Sequence, residues 1–481
     1  MIARLSPLLM ALSDPFVRQA TFQWFVVAVV GLLMRLDHHG VSSTIRWLRV
    51  RPESYERFVA FFRSQGLKLG ELQKAWQRLV CARGTRRAST GAVVLLGDGI
   101  KVAKEAQRMP GVKKLHQASD NSGKAPWIEG HHFGVVGVLV GTGEKSFCVP
   151  LAAELHEGVP ALRKLQGKPE PEVSGAKKTT VVTLMAHLIG GVVRNLGEPG
   201  IAVLDAYFSV ADTFRIAQAV CDATGQRLLH IVTRAKGNVV AYEDAPAEYS
   251  GRGRPRTYGR KLVLDQLFTT RAEAFEPVPI TVYDERKIVS LLCLDLLWKP
   301  LQKKLRFVLV KDGTARFILM CSDLSLSPRE IVELYGSRFK IEVTFKTFKH
   351  VLGGFAYHFW TSMWRDDQGR ALRLEQLDHL TDRAKRLIAD ALNAIEAFVN
   401  IALIATGLLQ LLAIECTDEI RTRHRWWLRT YSSEVPSEEM VKNVLRHEFY
   451  HHFRDFKHTA IYRIIRSKMR QELPSPRKLA A

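Results

Sequence analysis

Tyr335, Arg338, Glu342 and Lys349 carry the spacing most able to do chemistry in this chain. At ~100° per helical residue their side chains fall within roughly 60° of one another, and Lys346, four residues after Glu342, extends the same face. One carboxylate is thus set among cations and a phenol. A carboxylate can hold a hard divalent metal ion, and flanking Arg and Lys can hold phosphates. That is nuclease chemistry, if further carboxylates reach the stripe from elsewhere. Taken alone, Glu342 also fits a plain ion pair with Arg338 or Lys346 on a solvated helix face.

Two upstream acids qualify. Asp98 closes the run Gly91-Ala-Val-Val-Leu-Leu-Gly-Asp98, and Asp205 closes Gly200-Ile-Ala-Val-Leu-Asp205. Each run is short, apolar and β-branched, which reads as a buried strand ending at a sheet rim. Rims of open sheets are where sites sit. Asp98 followed by Gly99 also fits a turn, and Asp205 a helix N-terminal cap. Asp212 and Glu333 stand as fallbacks. Two strand-end aspartates and one helix glutamate make an Asp-Asp-Glu triad able to bind two divalent ions.

With those residues in place, the chain resembles the bacterial cut-and-paste DDE transposases of insertion sequences that bear the Tyr-Arg-Glu-Lys (YREK) signature. Tyr335, Arg338, Glu342 and Lys349 match it in type and spacing, and Asp98 and Asp205 match in context and order. The resemblance implies a catalytic triad Asp98, Asp205 and Glu342 holding two Mg²⁺ ions, with Mn²⁺ able to substitute. It implies that Arg338, Lys346 and Lys349 clamp phosphates, that Tyr335 donates a hydrogen bond, and that Trp298 stacks on a base flipped from the cleaved end. Trp298 could equally cover the core of its own domain. The implied partners are double-stranded DNA and a second copy of the chain on synapsed ends, in the bacterial cytoplasm. Neither a membrane nor a small-molecule substrate is implied. Two other classes remain open: a nuclease on the same scaffold that cuts without joining, and a silent DNA-binding relative.

Hydrophobic patterning then places the supporting elements. Residues 1–85 read as helical, with Ser42–Arg49 and Pro52–Phe62 as two short helices at a tight turn; Ser42 and Ser43 suit an N-cap. This fits either a helix-turn-helix on DNA or a bundle packed on the core. Residues 86–236 read as α/β, with a hairpin around Gly141-Thr-Gly143, a helix over Thr180–Asn195, Asp205's strand, a helix over Asp212–Ala223 and a strand over Arg227–Thr233. The pattern gives α/β with antiparallel strands; the resemblance implies a ribonuclease-H-like core interrupted by a mostly β insertion. The stretch from Asp205 to Glu342 far exceeds one crossover, so residues 237–323 are assigned to that insertion. Its strand-like runs are Lys261–Phe268, Val278–Tyr283, Ile288–Leu294, Leu305–Lys311 and Arg316–Met320. Residues 324–365 return to the core, and 366–481 form a basic helical C-terminal region. Within the insertion, Arg252, Arg254 and Arg256 flank Pro255 in a segment that resembles an AT-hook, thin enough for a narrow minor groove.

Composition agrees with a polyanionic partner. Lys plus Arg number 70 against 48 Asp plus Glu, a formal charge of +22, which points to nucleic acid. Six cysteines are scattered without a short-spaced pair, so a disulfide framework or zinc ribbon is not expected and a reducing cytoplasm is. No signal peptide is read at the start. The apolar stretches Phe22–Met34 and Phe398–Ile414 are read as buried core helices. His447, Glu448 and His451 have the spacing of a zinc-protease helix but lack a third ligand and a domain around them. His131-His132 is read as a surface pair or as support behind the site.

Overall fold

The computed structural model describes residues 1–105, 107–117, 125–141, 146–156, 160–168, 180–246, 256–282, 285–366, 368–372, 374–427 and 435–470. One twelve-stranded mixed sheet runs through it. Its strands are β1 (Val93–Ala103), β2 (Lys113–His116), β3 (Trp127–Val140), β4 (Phe147–Leu155), β5 (Gly200–Leu204), β6 (Leu229–Arg234), β7 (Val240–Tyr242), β8 (Lys261–Val263), β9 (Glu276–Val282), β10 (Glu285–Trp298), β11 (Lys303–Asp312) and β12 (Ala315–Cys321).

β1, β3 and β4 form an antiparallel meander, while β5 and β6 run parallel to β1. This order, β4-β3-β1-β5-β6, is compatible with a ribonuclease-H-like core. β12 then pairs antiparallel with β6 and leads to β11, β10, β7 and β8. The strands between Asp205 and Glu342 therefore continue the same sheet.

β1 shows why the centre reads as an unbroken apolar run. Val93 and Leu95 face one core layer; Val94 and Leu96 face the other. A strand covered on both faces needs no polar alternation. Helix Val181–Leu196 packs on the first layer, and helices Pro328–Gly336 and Phe339–His350 bury Ile331, Leu334 and Ile341 in the second. Helix Asp382–Glu415 is long and apolar enough to cross a membrane, yet its most apolar stretch is 94% buried inside the protein. Helix Gln19–Met34 is likewise buried along most of its length.

Several expected boundaries shift for physical reasons. The run Lys261–Phe268 is a strand only to Val263; Leu264, Leu267 and Phe268, buried at helical spacing, turn it into a short helical stretch. The expected strands at 288–294, 305–311 and 316–320 lie within β10 to β12, and that at 278–283 lies within β9 as far as Val282, residue 283 being outside the described residues. Near the N-terminus the helices are Gly40–Trp47 and Tyr55–Phe62, the second preceded by a 3₁₀ turn at Pro52–Ser54. Ser42 and Ser43 lie inside the first helix and are not its cap. Ser43 donates to the carboxylate of Asp37, and Arg49, at φ 50°, makes the tight turn. The turn Gly141-Thr-Gly143 falls partly outside the described residues.

Candidate active site

Asp98 lies within β1, on the face that Val94 and Leu96 give to the second core layer. β5 runs alongside in the register Leu96↔Val203. Two positions on, Asp98 comes level with Asp205, the residue after β5 ends. β1 continues past this point with β3 alone, so both acids stand where one strand stops and its neighbour goes on. The Asp205 side chain accepts from the Tyr207 amide at 3.0 Å, and its carbonyl accepts from the Thr233 hydroxyl at 2.6 Å. The helix-cap reading of Asp205 is thus realised, with one carboxylate oxygen engaged.

Glu342 comes from the far side of the layer. The stripe expected on one helix is carried by two, Pro328–Gly336 and Phe339–His350. Ser327 caps the first, accepting from the Glu330 amide at 3.2 Å, with Pro328 at the first helical position. Between the helices, hydrogen bonds tighten to three-residue spacing: Arg338 N to Tyr335 O at 3.1 Å and Ile341 N to Arg338 O at 3.2 Å. Arg338 sits at this junction. Its guanidinium reaches Asp98 at 3.3 Å and Glu342 at 2.5 Å. The local Arg338–Glu342 pair therefore exists, but the same guanidinium also holds an acid 240 positions away in the chain.

Electrostatics at this rim are strained by like charge. Burial, and then the charge of Asp205, pushes the Asp98 carboxyl up to about 6, against a lowering pull from the Gly99 amide and Arg338. Burial likewise raises Asp205, with Glu342 adding to it. Burial would lower Arg338, but its bonds to Glu342 and Asp98 outweigh it and raise it. Tyr335 is half-buried, hydrogen-bonded to Arg338 and raised by burial. Lys346 and Lys349 are exposed. Among the described residues no three His, Cys, Asp or Glu side chains are gathered tightly enough to ligate one ion. The donor chemistry nonetheless fits a hard divalent cation: all donors are carboxylate oxygens, their charges oppose one another, and a cationic guanidinium already bridges two of them.

The remaining expected residues scatter. Asp212 pairs with Arg215 at 2.8 Å, and Glu333 accepts from the Thr281 amide and Arg329, both at 3.0 Å. Trp298 is buried, edge-on to Phe214 at 5.5 Å, and forms a wall of a cavity of about 610 Å³ with Ser209, Lys236, Tyr242 and Lys299. Arg256 is exposed; Arg252 and Arg254 lie outside the described residues. His131 and His132 are not at the surface. His131 bonds Pro110 O at 2.9 Å and the Tyr357 hydroxyl at 2.7 Å. His132 abuts Gly99, where a Cβ would come within 2.4 Å of its ring nitrogen, so any larger residue after Asp98 would displace it. Glu448 of the zinc-protease spacing accepts from the Met1 amine at 2.7 Å, from the Ile2 amide and from Arg423; it is spent on structure. Absent from the sequence reading were the buried cations Arg35 and Lys442 behind the Glu342 helix, and their only sequence trace is the Gly353-Gly354 that follows it.

A family model described as DDE superfamily endonuclease matches residues 11–286, more than half of the protein. The chain belongs to the DDE superfamily endonucleases. Members of that superfamily are metal-dependent nucleases that act on DNA. The matched span holds Asp98 and Asp205, and Glu342 lies beyond it. No curated protein matches the chain in a sequence comparison.

Proposed function

We propose that this DDE endonuclease is a transposase that cuts at the ends of a bacterial insertion sequence and joins the freed 3′-OH to target DNA. The observation that carries the reading is the Arg338 guanidinium shared by Asp98 and Glu342 beside Asp205. Three acids brought to one rim by two strands and a helix support a two-ion phosphoryl-transfer centre. Bound there, two Mg²⁺ (or Mn²⁺) ions supply Lewis acidity at the scissile phosphodiester. Asp98, Asp205 and Glu342 would hold them. Arg338, released from the carboxylates, turns to the end phosphate; Lys346 and Lys349 clamp neighbouring phosphates, and Tyr335 donates a hydrogen bond. Water attacks first, breaking the P–O3′ bond at the element end and leaving a 3′-OH. That 3′-OH then attacks a second phosphodiester, first on the opposite strand to give a hairpin, and after reopening on target DNA.

In this reading residues 86–236 and 324–365 form the ribonuclease-H-like core and 237–323 its insertion. The helical regions 1–85 and 366–481 serve end binding, and two copies synapse two ends. The Trp298 cavity, next to Ser209 and flanked by Lys236 and Lys299, is proposed to take the flipped base, and Arg252, Arg254 and Arg256 to enter a minor groove. The test uses labelled duplexes bearing the element's termini with a target plasmid and Mg²⁺. Cut ends joined to plasmid support a transposase; cutting without joining leaves a plain nuclease; binding without cutting under Mg²⁺ and Mn²⁺ alike contradicts both.

A further inference from the structure

The C-terminal end of the Glu342 helix is held by buried cations from both terminal regions. The last carbonyls of a helix have no partners within it and carry partial negative charge. Here the helix ends at His350, and the Lys442 ammonium, from helix Glu438–His452, donates to the carbonyl of its C-cap Val351, while Arg35 takes the next two carbonyls in the turn that follows. The Arg35 guanidinium, just after helix Gln19–Met34, donates to Leu352 O at 2.6 Å and Gly353 O at 2.9 Å, and to Gly40 O at 3.1 Å. Both side chains are almost wholly buried, at 0% and 2% exposure. Among the described residues neither has an ion-paired carboxylate. Gly353, at φ 59°, lets the chain turn under them, where a Cβ would come within 2.5 Å of His38. One turn before Lys442, Glu438 accepts from Gln410 at 3.0 Å and bonds Thr347, on the face of the helix opposite Glu342.

Burying unpaired cations is expensive, and well-packed apolar side chains would stabilise the same space at least as well. What charge adds is direction: three hydrogen bonds from two cations, onto the helix's C-cap carbonyl and the two carbonyls that follow it, set where the helix ends and how it is rotated. Glu342 rides on that helix, and a displacement of ~1 Å at a catalytic group can cost ~10²-fold in rate. We propose that Arg35 and Lys442 are positioning residues that fix the axial place and rotation of the Glu342 helix, so that both terminal helical regions set this carboxylate against Asp98 and Asp205.

The inference rests on Glu342 as a metal ligand, and its test separates the two. Mn²⁺ is titrated calorimetrically into the DNA-free full chain as wild type, Lys442→Met, Lys442→Arg, Glu342→Gln and the Lys442→Met/Glu342→Gln double variant. Lys442→Met is expected to weaken Mn²⁺ binding about tenfold, Lys442→Arg to recover most of it, and the double variant to bind no worse than Glu342→Gln alone. Loss of a cation by itself would strengthen Mn²⁺ binding through the field, so weakening reports geometry. With duplex DNA, kcat should fall while KM stays within about twofold. Unchanged Mn²⁺ affinity with a lowered melting temperature would overturn the positioning role and leave a structural one. Wild type that binds no Mn²⁺ would overturn both this role and the reading of Glu342. Should Lys442→Met fail to fold, Arg35→Lys, which keeps the charge but loses the fork, is held to the same criteria.

Discussion

Asp98 is the residue on which burial and like charge press hardest at the site, and it is lifted from 3.8 to about 6 by burial and by Asp205. The folded state therefore holds this proton more tightly than the unfolded chain. The resulting destabilisation is absent below pH 3.8, grows between, and is complete above about pH 6, where it amounts to roughly 3 kcal/mol. Metal-free Asp98→Asn should thus melt a few degrees above wild type at pH 7, and the gain should vanish near pH 4. Scanning calorimetry in EDTA at both pH values checks this; a wild type equal to or more stable than the variant at pH 7 would refute it. Because a ligating carboxylate must be ionised, cleavage at limiting Mg²⁺ should fall up to tenfold per unit as pH drops below about 6. Rate–pH profiles at low and saturating Mg²⁺ should show that acid limb shrinking as metal rises. The type and spacing of Tyr335, Arg338 and Glu342, and the apolar runs ending on Asp98 and Asp205, were legible because local periodicity encodes them. The cations behind the helix were not, since Arg35 and Lys442 meet it only through tertiary packing and act on backbone carbonyls that any residue carries.

At the scale of elements, β4 is an edge strand sealed by side chains. Asn400, on the long Asp382–Glu415 helix, takes the Ala153 amide and gives to the Ala153 carbonyl, each at 2.9 Å, copying a strand's ladder. Glu396 takes the Leu155 amide at 2.9 Å, the Trp76 indole gives to Pro150 O at 2.8 Å, and Thr344 gives to Cys148 O at 2.8 Å. Exposed edges invite pairing with other chains, and this one has nowhere to pair. Asn400→Leu leaves two buried backbone groups unpaired and should cost about 2–4 kcal/mol, read as a drop in denaturation midpoint at unchanged slope. A change under 0.5 kcal/mol would show the ladder to be incidental. The core meander and the strand–helix–strand succession of β5 and β6 could be read from turn signals and apolar runs, but not the parallel pairing of those two strands, which is set by tertiary packing. The end of β8 could not, because Lys261–Phe268 serves strand and helix periods equally over so few residues. The break at Ser337 does have a local sign in Gly336, the last residue of the first helix, where a Cβ would come within 2.6 Å of Val282; Leu334 and Ile341, on either side of the break, pack into one layer.

At the scale of the whole molecule, a charge of +22 sets how DNA is met. If about six phosphates are neutralised, affinity for duplex DNA should fall roughly 10³-fold between 50 and 200 mM salt. Fluorescence anisotropy over that range gives the slope, and a salt-independent affinity would exclude a phosphate-led interface. Composition made that partner legible. It did not reveal that both terminal regions close on the catalytic core, because contacts such as Arg35 to Leu352 join segments 317 positions apart.

A shared three-carboxylate metal centre is tested most directly by nicking of a labelled duplex by wild type, Asp98→Asn, Asp205→Asn and Glu342→Gln, each with Mg²⁺ and with EDTA. One shared metal centre requires cutting by wild type in Mg²⁺ alone, and a loss of at least about 10³-fold in every variant while DNA binding persists. Cutting that survives in EDTA, or that survives the loss of any one of the three carboxylates, would contradict it.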